Sequence, residues 1–273
     1  MTGRYAVIGH PIAHSKSPLI HKLFAEQTGQ DISYEAIEAP LDGFVATIEG
    51  LRKAGYKGCN VTVPFKFEAF KLATQITPHA DMAQAVNTLR LNFDDNVISG
   101  DNTDGTGLVR DISSNLGITL NNKRVLLIGA GGAASGVALP LASAGAQLTI
   151  VNRTSDKAQS LASSLNLNRR SGSISACGFD KLAGQQFDIV INATSAGLSD
   201  SEIPLPEDIF APGAQAYDMM YGRETPFMRF ARAQGTRVAD GLGMLVEQAA
   251  EAFFLWRGVR PDTAPVMEKL RGS

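Results

Sequence analysis

The sequence predicts an α/β chain of two domains, and three observations predict it. Strand-like and helix-like segments alternate along all 273 residues, the pattern of parallel sheets covered by helices. A run of buried-strand residues, Arg124–Ile128, feeds into Gly129-Ala130-Gly131-Gly132-Ala133-Ala134, and a helix-compatible segment follows. This glycine turn lies near mid-chain, so more than a hundred residues precede it, enough for a separate domain.

In chain order, Tyr5–Gly9 reads as a strand, followed by a loop and a helix from Pro18. Ser33–Glu38 reads as a strand, Leu41–Ala54 as a helix and Lys57–Val63 as a strand, with a short helix from about Phe65. Val86–Asn92 and Asn96–Gly100 can pair across Asp94-Asp95-Asn96 as turn residues. Thr106–Leu116 reads as a helix. After the glycine turn come a strand over Gln147–Val151 and a helix over Lys157–Leu165. Strands follow at Asp188–Asn192 and Ala214–Asp218, then a long apolar helix at Met244–Arg257. Gly100–Gly107, rich in Gly, Asn and Asp, is the candidate boundary, and the chain returns to its first domain near Asp240-Gly241-Leu242-Gly243. The predicted domains are 1–103 with 240–273, and 104–239. A domain inserted between two pieces of another leaves a cleft between them.

Gly129-x-Gly131-x-x-Ala134 fits the dinucleotide fingerprint of a Rossmann-type parallel-sheet domain. The first glycine permits the tight turn, the second lets the backbone approach a pyrophosphate, and the small third residue lets helix and strand pack closely. The helix N-terminus adds unpaired N–H groups and a partial positive charge. Roughly 20 residues beyond the first glycine, where an NAD enzyme places an acid for the ribose 2′-hydroxyl, this chain has Asn152-Arg153-Thr154 and then Lys157. The repelling carboxylate is absent. A guanidinium that can fork onto a 2′-phosphate and stack on adenine stands there instead. The reading is NADP over NAD; the alternative is a solvated loop with Thr154 capping a helix.

Composition narrows the class. Apolar residues make up 44% and charged residues 19%, as in an ordinary globular protein. A formal charge of −2 gives no footprint for nucleic acid or a membrane surface, and no apolar run reaches the ~18 residues of a membrane span. No signal peptide is visible before the first strand. Cys59 and Cys177 form no C-x-x-C pair, and they read as small core fillers in a reducing cytoplasm. His10, His14, His21 and His79 lack the partners of a metal site, so no metal is expected.

Polar residues bounded by Gly or Pro stand at several strand ends in the first half, where ligands bind in open α/β sheets. They are Ser15-Lys16-Ser17-Pro18, Asn60-Val61-Thr62-Val63-Pro64-Phe65-Lys66, Ala85-Val86-Asn87-Thr88 and Gly100-Asp101-Asn102-Thr103-Asp104-Gly105. Their hydroxyls, carboxamides, ammonium and carboxylates suit a small polyhydroxylated acid. Each has a plainer reading too. Ser17 before Pro18 is a good N-cap, Thr62 a strand former, Lys66 a solvated first-turn lysine, and Asp104 a turn or cap residue.

These segments together resemble the shikimate dehydrogenase family, essentially end to end. Gly9–Pro18, Asn60–Lys66, Ala85–Thr88, Gly100–Gly105 and Gly129–Ala134 carry the resemblance. So do Asn152-Arg153-Thr154, Asn192-Ala193-Thr194-Ser195, Tyr217–Tyr221 and Asp240–Met244. The resemblance implies reversible, NADPH-dependent reduction of 3-dehydroshikimate to shikimate in aromatic amino-acid biosynthesis, with 1–103 plus 240–273 as the substrate domain and 104–239 as the NADP domain. It implies Lys66 and Asp104 as the catalytic pair. Ser15, Ser17, Thr62, Asn87, Tyr221 and Gln248 would contact the substrate. Gly129, Ala130, Gly131, Gly132, Ala133, Asn152, Arg153, Thr154, Lys157, Met219 and Gly241 would line the cofactor, with Thr194 nearby. A monomer or homodimer is expected, with no macromolecular partner.

One position departs from the family pattern. Ser135 stands where relatives often carry a basic residue, which leaves Arg153 and Lys157 to discriminate NADP from NAD. Three other readings compete. A quinate/shikimate dehydrogenase using NAD would favour an acid at 152. A non-catalytic NADP or shikimate sensor would need neither Lys66 nor Asp104. A folate-linked methylene dehydrogenase would not require the Ser15-Lys16-Ser17 segment.

Overall fold

A computed structural model describes residues 2–91, 97–166, 174–194, 196–198 and 200–272. The chain forms two compact units, Met1–Gly107 with Val246–Ser273, and Leu108–Leu245. The sequence reading divides the chain a few residues earlier at each crossing. At the first crossing the cause is Asp104, whose side chain bonds to Asn87 and Lys66 and so keeps the start of its helix with the first unit.

The first unit begins β1 (Gly3–Gly9), α1 (Ser17–Thr28), β2 (Ile32–Glu38), α2 (Phe44–Lys53), β3 (Gly58–Val61) and α3 (Lys66–Leu72). It continues β4 (Gln75–Ile76), α4 (Pro78–Ala83), β5 (Thr88–Leu91), β6 (Ile98–Asp101) and α5 (Asp104–Arg110). Its sheet has the order β2-β1-β3-β5-β6-β4. The expectation of parallel sheets is corrected here. β1 is parallel to β2 and β3, but β5 runs antiparallel to both β3 and β6. The short link between β5 and β6 is too brief for a parallel crossover, which needs a dozen or more residues. The turn expected at Asp94-Asp95-Asn96 lies outside the described residues.

Alternating apolar residues of these strands bury Ala6, Ile8, Cys59, Val61 and Leu89 against Phe44, Ile48 and Phe65 of the α2 and α3 region. Phe44 and Phe65 stack with centroids 5.0 Å apart. α1 ends at Gly29, whose left-handed φ of 64° lets its N–H return to the Ala25 carbonyl, the usual glycine stop.

The second unit continues α5 through a π-helical turn, Asp111–Asn115, so the helix expected at Thr106–Leu116 starts earlier and changes its winding. Then come β7 (Arg124–Ile128), α6 (Gly132–Ser143), β8 (Gln147–Val151), α7 (Ser155–Asn166) and β9 (Ile174–Cys177). β10 (Phe187–Asn192), β11 (Phe210–Asp218), α8 (Pro226–Ala233) and β12 (Arg237–Ala239) complete it. This sheet, β12-β11-β10-β7-β8-β9, is parallel at every strand pairing among the described residues. The near-continuous apolar strands Val125–Ile128 and Ile189–Ile191 are fully buried, as a sheet covered on both faces requires.

α9 (Leu242–Arg257) returns the chain to the first unit, and α10 (Ala264–Arg271) ends it. Within the first unit, Trp256 of α9 stacks on Tyr5 at 4.7 Å and donates its indole N–H to the Leu89 carbonyl at 3.0 Å. A Cβ at Gly58 would lie 2.5 Å from that indole nitrogen, so only glycine lets the indole reach the strand.

Candidate active site

The mixed sheet gathers polar residues at one edge of the first unit. β1 and β3 are parallel, so their carboxyl ends deliver Ser15–Ser17 and Thr62–Lys66 to the same side. β5 runs the other way and presents its amino end there, with Asn87 just before it. β6 reverses again and leads into Asp104. Four adjacent strands thus place their polar termini side by side.

Local sequence fixes each residue. The backbone N–H of Ser17 donates to the Ser15 hydroxyl at 3.2 Å. The N-cap of α1 is Lys16, with no capping side chain, so the plainer reading of Ser17 as a cap is corrected. Ser17 is instead a buried first-turn residue. Lys66 opens α3 with its side chain only 17% exposed, which removes the solvated-lysine reading. The side chain of Asn102 accepts from the Asp104 N–H at 3.1 Å. Asn102 thus satisfies the first N–H of α5, and the Asp104 carboxylate is left for other work.

That work is specific. Lys66 Nζ donates to Asp104 Oδ2 at 2.5 Å, and Asn87 Nδ2 donates to Asp104 Oδ1 at 2.7 Å. Asp104 is 8% exposed in its side chain, and Asn87 is buried. A charge-assisted pair this far from bulk solvent is held by donors on both carboxylate oxygens. Thr103 Oγ1 reaches Gln248 Oε1 of α9 at 3.4 Å. The structure therefore brings Lys66, Asn87, Asp104 and Gln248 into one linked set within the first unit. Ser15, Ser17 and Thr62 sit on the neighbouring strand ends. Tyr221 belongs to the second unit, where burial raises its phenol pKa.

In the second unit the carboxyl ends of β7, β10 and β11 carry the glycine turn and its neighbours. Gly129 has φ +116°, a conformation L side chains rarely adopt, and an added Cβ would meet Thr194 Cγ2 at 3.2 Å and the Ala193 carbonyl at 3.3 Å. A Cβ at Gly131 would meet nothing within 4 Å, so the surface before that glycine is open to an approaching group. Ala134 is fully buried, where helix meets strand. The N-terminus of α6, at Gly132 and Ala133, follows directly. These features fit a pyrophosphate.

Asn152 folds back to donate to the Thr154 carbonyl at 3.0 Å. Arg153, Thr154 and Lys157 are exposed, and among the described residues neither cation forms an ion pair. Both remain available to a phosphate.

Asp218 binds the far side of this edge together. It accepts from Asn192 Nδ2 at 3.1 Å, from the Met220 N–H at 2.9 Å and from Thr225 Oγ1 at 2.6 Å. Burial raises its pKa, which these three donors partly offset. Asn192 Oδ1 in turn accepts from the Thr194 hydroxyl at 2.7 Å. Gly241 approaches so closely that a Cβ there would lie 2.2 Å from the Met219 carbonyl oxygen. Thr194, Met219 and Gly241 are therefore held in a fixed relation around the ends of β10 and β11. Among the described residues no group of His, Cys, Asp and Glu could hold a metal ion.

Relatives with this organisation are known. The family profile described as shikimate dehydrogenase substrate binding domain matches residues 7–89. Those described as shikimate / quinate 5-dehydrogenase and shikimate 5′-dehydrogenase C-terminal domain match 111–199 and 241–271. A shikimate dehydrogenase (NADP(+)) of Methylobacillus flagellatus is 63% identical over 99% of both chains. This chain belongs to the shikimate dehydrogenase family. Among solved structures of similar proteins, an Ael1 enzyme from Pseudomonas putida is 50% identical with a TM-score of 0.91, covering 98% of both chains. The shikimate 5-dehydrogenase of Thermus thermophilus, in complex with NADP(H) and shikimate, is 35% identical with a TM-score of 0.88, covering 99% of both.

As a shikimate dehydrogenase family member, the chain carries polar side chains at the Lys66–Asp104 edge that the sequence reading had not selected as site residues. These are Tyr34, Asn60, Thr88 and Thr103. Asn60, Thr88 and Thr103 fall inside the quoted motifs, and that was the available signal. Tyr34 stands in an ordinary strand pattern with no local mark.

Proposed function

We propose that this chain catalyses the reversible, NADPH-dependent reduction of 3-dehydroshikimate to shikimate. The observation that carries the reading is the Lys66–Asp104–Asn87 arrangement: an ammonium donor, 17% exposed, whose carboxylate partner is itself fixed by a buried carboxamide.

A bound NADPH supplies the hydride for the ring carbonyl carbon. As the carbon–oxygen double bond opens, negative charge grows on that oxygen. Lys66 lies at the strand-end edge to stabilise this charge and pass the oxygen a proton from Nζ. In the oxidative direction Lys66, after giving up a proton to solvent, takes the hydroxyl proton. Asp104 orients the ammonium and accepts a hydrogen bond from a neighbouring substrate hydroxyl. Ser15, Ser17, Thr62, Asn87, Gln248 and Tyr221 bind the carboxylate and the remaining hydroxyls. Gly129–Ala133 would hold the pyrophosphate, and Thr194, Met219 and Gly241 would border the cofactor. Asn152, Arg153, Thr154 and Lys157 would hold the adenosine end and its 2′-phosphate.

The first unit, Met1–Gly107 with Val246–Ser273, is the substrate domain, and the second, Leu108–Leu245, is the cofactor domain. No described helix is long and apolar enough to cross a membrane. Both cysteines are free thiols, which suits a cytoplasmic enzyme working as a monomer or homodimer. The test is an initial-rate comparison of shikimate and quinate, each with NADP and NAD, followed at 340 nm. Shikimate with NADP is expected to be the preferred pair. Preference for quinate with NAD would replace this reading with the quinate one.

A further inference from the structure

Behind the Lys66–Asp104 pair lies a row of side chains joined by hydrogen bonds that run in one direction. The Tyr34 hydroxyl donates to Asn60 Oδ1 at 2.8 Å. Asn60 Nδ2 donates to Thr88 Oγ1 at 3.0 Å and to the Asn87 carbonyl at 3.2 Å. The Thr88 hydroxyl donates to Asn87 Oδ1 at 2.9 Å. Asn87 Nδ2 donates to Asp104 Oδ1 at 2.7 Å. Asn60, Asn87, Thr88 and Thr103 are all buried.

The direction is fixed by groups that cannot reverse. The Asn87 carbonyl can only accept, so the amide nitrogen of Asn60 must face it and Oδ1 must face Tyr34. Tyr34 therefore donates. The Thr103 backbone N–H can only donate, and it points at Asn87 Oδ1 from 2.9 Å. That leaves Asn87 Nδ2 for the Asp104 carboxylate. Thr88 has one proton and two neighbours that can accept it, Asn87 Oδ1 at 2.9 Å and Thr103 Oγ1 at 3.4 Å, and the shorter contact takes it. From Tyr34 through Asn60, Thr88 and Asn87, one side-chain donor at each step leads on to the next residue and ends at Asp104.

We propose that Tyr34 and Thr88 are positioning residues for the reaction. They lock the Asn87 carboxamide with its N–H₂ on Asp104, and thereby hold Asp104 and Lys66 in the reactive arrangement. Neither needs to touch substrate. The inference rests on the proposed dehydrogenase reading. The Thr103 N–H sets which way the Asn87 amide faces, and the Thr88 hydroxyl adds a second hydrogen bond to the same oxygen; without it the carboxamide that holds Asp104 is less firmly placed. Hydrogen bonds of this kind in a buried network act as a set.

The test is the isosteric variant Thr88→Val, with Thr88→Ser as the rescue. Thr88→Val should lower kcat by about fivefold to twentyfold, the effect of one lost buried hydrogen bond expressed in the transition state. KM for NADP should stay unchanged. Thr88→Ser should return kcat to within about threefold of the wild type, because the hydroxyl is restored. In an Asp104→Asn background, Thr88→Val should cost less than about twofold more, since the two act through one another. A Thr88→Val kcat within twofold of wild type, a serine variant no better than valine, or full additivity with Asp104→Asn would each overturn the proposal. If Thr88→Val loses its cooperative thermal transition, Tyr34→Phe reads the same row from its other end. There a fall of about fivefold is expected, and an unchanged kcat refutes the idea. Wild-type protein that does not turn over shikimate with NADP defeats the dehydrogenase reading itself. Active wild type with an indifferent Thr88→Val defeats only the inference.

Discussion

Lys66 and Asp104, 38 residues apart in the chain, meet at 2.5 Å with neither side chain more than 17% exposed. The relation is made by topology. β3 delivers the lysine at its carboxyl end, and β6 delivers the aspartate after two antiparallel reversals. Lys66→Ala should therefore lower kcat by roughly 10²–10⁴-fold, the range of a positioned general acid, while shikimate still binds. Initial rates and equilibrium titration check this together. Combined with Asp104→Asn, the double variant should lose little more than the worse single one. Independent, multiplying losses would mean the pair does not act as a unit.

Arg153 stands exposed beyond β8 with no ion pair among the described residues. Arg153→Ala should raise KM for NADP about tenfold or more, the worth of a charge-assisted hydrogen bond to phosphate, and leave KM for NAD nearly unchanged. Parallel initial-rate series with the two cofactors decide it. Equal effects would remove the 2′-phosphate role.

Gly241 touches the Met219 carbonyl so closely that even a methyl group must displace backbone. Gly241→Ala should cost about 1–3 kcal/mol of stability, as overpacking does, and weaken NADP binding more than shikimate binding. Denaturant melts and separate ligand titrations measure the two. Wild-type stability together with wild-type NADP affinity would show that the contact is dispensable.

What the sequence made legible was mostly local. The turn at Gly129–Ala134 was visible because strand, glycines and helix are consecutive, and Gly129 does adopt a positive φ. The antiparallel pairing of β5 with β6 was legible from the turn residues between them, but that of β5 with β3 was not, since α3, β4 and α4 separate the two in the chain. Ser17 looked like a cap because Ser-Pro often is one, but the chain uses Ser15 to receive the Ser17 N–H. Tyr34 could not be singled out, because its partner Asn60 is 26 residues away across the sheet. Short elements such as α4, β9 and β12 gave too few residues for a period to register. α8 and α10 were also passed over, though Pro226 follows the capping Thr225.

His21 is fully buried, stacked on Tyr34 with centroids 4.0 Å apart. Neither ring nitrogen has a hydrogen-bond partner by geometry among the described residues. Burial depresses its pKa to about 3, against a small opposing contribution from the nearby Asn60 side chain. The folded protein thus keeps His21 neutral while the unfolded chain protonates it below its ordinary value of 6.5. The unfolded state binds more protons between pH 6.5 and 3, so His21 stabilises the fold above that window and its contribution is lost as pH falls through it. Between pH 7 and 5 the loss from this residue should be about 2 kcal/mol. Urea denaturation of wild type and His21→Phe at both pH values should show a shallower fall in the variant. Identical falls would place the acid sensitivity elsewhere.

The most direct test of the account is the initial rate at 340 nm with purified protein, shikimate and NADP. The account predicts a sustained rise in absorbance that disappears in Lys66→Ala. No rise with wild-type protein, with shikimate and NADP both present in excess, would contradict it.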